Sequence, residues 1–304
     1  MATKTPGLQG KTLCAFVSWW QKLRQENEMK LLINPEGGLA GDMFAAALVS
    51  AGADFKLMQT AMLTAGEKLG TAQIEIKQTA DGSSRLDIAL NPGKHHLGGN
   101  EAGTILEELF SQFDIREKYR NLGMKILETL IKAEKKAHAE YNIVIEGEHS
   151  HPHSHHHDHH HDRQHTHRHH PPGNEETFLH EAQDIVIDIM GAIMGMQQLD
   201  IEPGAELLCP VSVGGGHVHF SHGTHSIPAP ATTIMLKEYH IQWKKGPVDV
   251  ELFTPTGAAI LAALGSSLNT SIAVEALDIV SVGKARGTKI LEIPPLKLYI
   301  YKET

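Results

Sequence analysis

A histidine tract near the middle of the chain limits what the rest can fold into. Thirteen of the 22 histidines fall between His149 and His170, interleaved with Asp158, Asp162, Pro152, Pro171 and Pro172. The tract offers no apolar side chains to bury, so nothing offsets the entropy of ordering it. It is expected to be a solvated loop that separates two folded parts. The division places an extension at 1–28, expected to be disordered, and an α/β half at 29–148. A His-rich metal-binding loop follows at 149–174, and a second α/β half at 175–304. The fold class expected is α+β, two α/β halves with mixed sheets joined by that disordered loop.

Two readings of the tract stand side by side: an inert low-complexity linker and a collector of divalent metal. Its internal position and irregular mixture with Asp, Arg and Pro argue against an affinity tag. Neutral imidazole suits nickel, zinc and copper, and a dense cluster gives many weak, overlapping sites. The densest run, His155, His156, His157, His159, His160 and His161, supplies the candidate ligands of this segment.

Composition removes several function classes. Cys14 and Cys209 are the only cysteines, too few for a disulfide framework or a thiolate-rich metal cluster. A formal charge of −9 disfavours nucleic acid as a partner. No apolar run approaches the roughly 18 residues of a membrane span. Any metal is therefore held by imidazole and carboxylate. The apolar stretch Leu13–Trp20 lacks a small-residue cleavage site, and cytoplasm is the expected location.

In the first half, Met29-Lys30-Leu31-Leu32-Ile33 reads as a strand. A Gly-rich turn and an apolar helix from about Met43 follow, with Gly41 and Asp42 at the junction. Such a turn can present backbone N–H groups to an anion, or it can be a tight turn in which Asp42 complements the helix N-terminus. Gln73 to Leu90 reads as a hairpin turning at Asp81-Gly82. Helices are expected at about 101–113 and 116–140. The second places Glu134 and His138 one turn apart, either as a metal-sharing pair or as a surface pair.

In the second half, Phe178 to Leu199 reads as one helix. On it His180, Asp184 and Asp188 form a stripe at successive i, i+4 positions, with Glu181 beside it. The stripe is either a solvated face or a metal site. His217, His219 and His222 crowd a Gly-rich segment, and His217 and His219 share one side of an extended chain. Thr254, Thr256 and Gly257 open a further helix, as ordinary caps or as an anion site. Strands near Asp278–Val282 and Leu296–Tyr301 close the chain.

Taken in order, these motifs resemble the LarC family of nickel-insertion proteins. The resemblance rests on Gly41-Asp42-Met43, the helix with Glu134 and His138, the internal His tract, and His180-Glu181 with Asp184 and Asp188. It continues through His222-Gly223, Pro228 to Thr232, Thr254 to Ala259, and the ending around Gly283 and Pro294, so it covers residues 29 to 302. It implies a CTP-dependent, lyase-type nickel chelatase or cyclometallase. Such a protein places Ni2+ in a thiolated pyridinium mononucleotide, making the nickel-pincer cofactor of lactate racemase and related enzymes. Nickel would gain two sulfur bonds and one carbon bond while the ring carbon loses a proton.

The resemblance makes Asp42, His180 and Glu181 catalytic candidates. Metal candidates are His180, Glu181, Asp184, Asp188, His217, His219 and His222. Gly41, Thr254, Thr256 and Gly257 are candidates for contacting the mononucleotide or its phosphate. Longer family members carry a further nucleotide-binding domain, so CTP, with Mn2+ or Mg2+, is expected to need a separate polypeptide or to be lost. Further departures are a shortened spacing before Asp184, Asn34 where the family has Asp, and His217, His219 and His225, which exceed the family pattern. Other expected partners are the racemase-type apoenzyme and, in a homo-oligomer, further copies of the chain. The rival reading, from a different class, is a non-catalytic His-rich nickel or zinc metallochaperone or store.

Overall fold

A computed structural model describes residues 28–93, 96–141, 178–180, 182–220 and 223–303. Strand β1, Met29–Asn34, leads through a turn with Gly38 at φ +88° into helix α1, Gly41–Ser50. Helix α2 spans Phe55–Glu67, capped by Asp54, whose carboxylate accepts from Leu57 N. The hairpin forms as its alternation requires, from β2, Gly70–Gln78, and β3, Ser84–Pro92. Ile74 pairs with Ile88 and Ile76 with Leu86. Helices α3, Gly99–Gln112, and α4, Glu117–Tyr141, complete this part.

Helix α5 is Ala182–Gln198, and strand β4 is Glu206–Leu207. Helices α6, Pro230–Glu238, and α7, Pro255–Ala263, each begin on a proline. That residue suits the first helical turn because the missing N–H would be unpaired there anyway. Strands β5, Ser267–Leu268, β6, Asp278–Ala285, and β7, Leu296–Lys302, follow. Among the described residues, no helix is long and apolar enough to cross a membrane.

The α+β class holds, but the strands of the two expected halves build one sheet. Its order is β5-β4-β1-β7-β6-β3-β2, which interleaves early and late strands. Interior strand β1 lies antiparallel to β7, with Met29 opposite Lys302, and parallel to β4 on its other side. Apolar Leu31, Ile33, Leu298 and Ile300 are buried where these strands meet. β1 can cover those side chains only by pairing with the far end of the chain. Strands of two residues, such as β4 and β5, carry no periodicity to betray that pairing.

Helix α5 runs through the core with Ile185 to Met196 buried, Asp188 included. A helix apolar on every side must be surrounded, and α1, α2, α3 and α4 pack around it. At Gly191 a β-carbon would stand 2.9 Å from that of Ala45, so the absent side chain lets α1 and α5 approach closely.

One expectation fails here. His180 is not on this helix. It ends the strand Phe178–His180, which pairs with His96–Gly98. The distant partner segment supplies the hydrogen bonds that a helical turn would have supplied, so the His180–Asp184–Asp188 stripe on a single helix does not form.

Candidate functional site

The carboxylates of α5 face a cavity of about 810 Å³. Its wall takes in the first turns of four helices: Asp42 of α1, Asp184 of α5, Pro230 of α6, and Thr256 of α7. A helix N-terminus carries partial positive charge and N–H groups without intrahelical partners. Four of them around one space favour bound carboxylates and an anionic ligand. Glu134 and His138, from the last turns of α4, line the same space with Glu251 and His225. The segment 285–294 between β6 and β7 adds Arg286 and Lys289, and Met43, Ile88, Leu90 and Ile185 give an apolar part of the wall.

The deepest acid is Asp188, 3% exposed, with no hydrogen-bond partner for Oδ1. Burial pushes its carboxyl well above the usual range, and the charges of Asp184 and Asp42 push the same way. A hydrogen bond with Thr256 partly opposes them. Asp42 is partly buried at the start of α1, where Oδ1 accepts from Met43 N at 2.7 Å. Burial raises it to about 6, against the lowering effect of the N–H groups of Met43 and of Asp42 itself. Both carboxyls hold their protons more tightly than an ordinary aspartate and would yield them to a cation.

Elsewhere on the wall, His138 Nε2 stands 3.9 Å from Glu134 Oε2, so the i, i+4 pair forms. The Tyr141 ring meets His225 edge-on, 6.5 Å between centroids. Arg286 is held rigidly, donating to Asp81 Oδ2 at 2.8 Å and to the Ile293 carbonyl at 2.7 Å. Lys289 beside it is exposed. Among the described residues no group of three or more His, Cys, Asp and Glu stands close enough to hold a metal as a ready cage.

A family model described as "Nickel insertion protein" matches residues 31–151 and 163–303. The chain belongs to the nickel insertion protein family. It is 30% identical over 274 residues to the pyridinium-3,5-bisthiocarboxylic acid mononucleotide nickel insertion protein of Thermotoga petrophila, covering 88% of this chain and 59% of that one. It is 28% identical to the protein of the same name from Staphylococcus saprophyticus, covering 87% of this chain and 57% of that one. The chain thus spans less than two thirds of these relatives' length. No solved structure matches it. The family match omits residues 152–162, the stretch of the tract that contains His155 to His161.

The candidate residues of this chain are distributed unevenly. Asp42, Asp184, Asp188, Thr254 and Thr256 all line the cavity. Gly41 lies directly against Asp188, and Gly257 N donates to Thr254 Oγ1 at 3.2 Å. His217 is exposed on the strand His217–Phe220 and is not part of the cavity wall, and His219 follows on that strand. His180 has only its strand position described. Glu181, His222, and the tract residues His155, His156, His157, His159, His160 and His161 lie outside the described residues. Sequence reasoning missed Glu251, His225, Arg286 and Lys289 as wall residues. Only His225 had a local signal, its place in the His-rich segment after Gly216.

Proposed function

We propose that this chain provides the metal-receiving and substrate-binding part of a nickel insertase acting on pyridinium-3,5-bisthiocarboxylic acid mononucleotide. The observation that carries this reading is the shared cavity, in which Asp42, Asp184 and Asp188 meet four helix N-termini and the Arg286–Lys289 segment. The substrate's name fixes its chemistry as a cationic ring, two sulfur-bearing acid groups and a phosphate. Nickel, here a substrate, is offered by exchangeable oxygen and imidazole donors and moves to softer sulfur, the favourable direction for a borderline cation. Asp42 and Asp184 are the accessible carboxylates for this, with Asp188 beneath them and Glu134–His138 at a second station.

The ring carbon must lose a proton as its bond to nickel forms. The C–H electron pair becomes the C–Ni bond and the proton passes to a carboxylate. Asp42, on the cavity wall at the start of α1, is the carboxylate placed to accept it. The phosphate suits the helix N-terminus capped by Thr254 and the charge of Lys289. His180, Glu181, His217, His219 and His222 complete the donor set in this reading, and the 149–170 tract raises the local metal concentration as a tethered reservoir. CTP with Mn2+ or Mg2+, a nucleotide-binding unit of the kind the longer family members carry, a lactate-racemase-type recipient and a cytoplasmic setting extend it and rest on the family resemblance.

The test supplies purified chain with Ni2+, CTP and the thiolated mononucleotide, alone and with the polypeptide that corresponds to the rest of the longer relatives. Formation of a racemase-activating product in either mixture supports the reading, and its absence from both rejects it.

A further inference from the structure

Gly41, Thr256 and Gly257 look like parts of a phosphate cradle, yet their contacts lead to a carboxylate. A β-carbon at Gly41 would stand 2.1 Å from Asp188 Oδ2 and 2.4 Å from Cγ, so the carboxyl lies against bare backbone. The Thr256 side chain, 6% exposed, lines the cavity beside the same carboxyl, near enough to counter part of the rise in its pKa. At Gly257 a β-carbon would meet the Leu39 carbonyl oxygen at 2.2 Å. That contact seats the start of α7 on the segment leading into α1. Backbone bonds lace the two segments further: Leu39 N donates to the Leu252 carbonyl at 2.8 Å, and Thr254 N to the Leu39 carbonyl at 3.3 Å.

We propose that Gly41 and Thr256, with Gly257 holding their helices together, are positioning residues that fix the Asp188 carboxylate beneath the metal-receiving wall. The inference rests on the reading of Asp42, Asp184 and Asp188 as the nickel end of the cavity. The two segments then act as the jaws of one clamp, α1 supplying a surface without a side chain and α7 a hydroxyl. Gly41 bounds the Asp188 carboxyl on one side and Thr256 flanks it on the other. Oδ1 is left as the oxygen without a partner. Residues that orient a ligand's carboxylate from behind commonly matter about 10- to 100-fold in metal affinity, without touching the ion.

The test uses residues 1–304 with the thirteen tract histidines replaced by serine, so that weak tract sites do not obscure the cavity. Wild-type cavity, Thr256→Val, Thr256→Ser and Asp188→Asn are each titrated with Ni2+ and, separately, with nicotinate mononucleotide as a pyridinium mononucleotide probe. Thermal melts check folding. Thr256→Val is expected to weaken nickel binding about 10- to 100-fold. Thr256→Ser should restore it to near the parent value, and both should leave mononucleotide binding unchanged. Nickel binding unaffected by Thr256→Val but lost in Asp188→Asn overturns the clamp and leaves the proposed function standing. Selective loss of mononucleotide binding in Thr256→Val also overturns it, in favour of direct ligand contact. Normal nickel binding by Asp188→Asn removes the metal wall itself, and the clamp with it.

Discussion

Asp188 packs on the backbone of Gly41 so tightly that a methyl group there would stand 2.1 Å from its Oδ2. Gly41→Ala must therefore lift the start of α1 or turn the carboxyl of α5. Both helices are embedded in the core and have little room to relax. Overpacking of this kind costs about 1–3 kcal/mol. The urea midpoint should fall with the slope unchanged. A midpoint equal to that of the parent would mean the junction has slack and Asp188 is not confined.

The raised carboxyls give stability a definite pH dependence. Asp42 moves from its ordinary 3.8 to about 6, so the folded chain binds more protons than the unfolded chain between those values. Its contribution is fully present below the unfolded value and is lost as pH rises through about 6, and Asp188, also raised, acts in the same sense. Denaturation at several pH values should show wild type losing stability relative to Asp42→Asn between about pH 4 and pH 6. Parallel curves for the two proteins would contradict the elevated value.

The same protons couple to metal. If nickel settles on Asp42, Asp184 and Asp188, binding must displace protons, and affinity must weaken as pH falls below about 6. Calorimetry of the tract-substituted chain in two buffers of different ionisation enthalpy reads the number released. Asp42→Asn should reduce it. Zero protons released at pH 6 would exclude these carboxyls as the first donors.

How much of this could be read from the sequence depended on the range of the interactions. The β2–β3 hairpin was legible because Ile74, Ile76, Leu86 and Ile88 alternate about a local Asp81-Gly82 turn. The Thr254 cap was legible for the same reason, its hydroxyl accepting from Gly257 N three residues on. His180 was misplaced because its strand depends on Leu97 and its neighbours, far away in the chain. An acidic stripe on a helix usually faces water. Asp188 does not, and the sign was the apolar run of Ile185, Ile187, Ile189 and Ile193 around it, which leaves α5 no solvent face. Arg286 and Glu251 reach the cavity only through the assembled sheet and the packing of α7, which no local pattern records.

The Thr254 cap itself can be tested. Thr254→Ala removes the acceptor for Gly257 N at the start of α7 and should cost about 0.5–2 kcal/mol. Thr254→Ser or Thr254→Asp should recover most of it in a thermal melt. If the alanine variant instead keeps full stability but loses mononucleotide affinity, Thr254 serves the ligand more than the helix.

Arg286 ties the hairpin turn to the segment beside the cavity, through Asp81 on one side and the carbonyl of Ile293 on the other. The guanidinium, first among several hydrogen-bond donors, holds the Asp81 carboxyl far below the ordinary range. A lowered acid contributes stability that is present above its unfolded value and is lost as pH falls towards the folded one, opposite in sign to Asp42. Both partners are partly exposed, so a double-mutant cycle with Arg286→Met and Asp81→Asn should give a coupling of only about 0.2–1 kcal/mol at neutral pH. The larger effect should be on the segment itself. Without its anchor, residues 286–289 lose the carbonyl contacts that hold them at the wall, and nicotinate mononucleotide binding should weaken while proton-coupled nickel binding stays intact. A variant that loses nickel and keeps the mononucleotide would reverse the assignment of the two ends of the cavity.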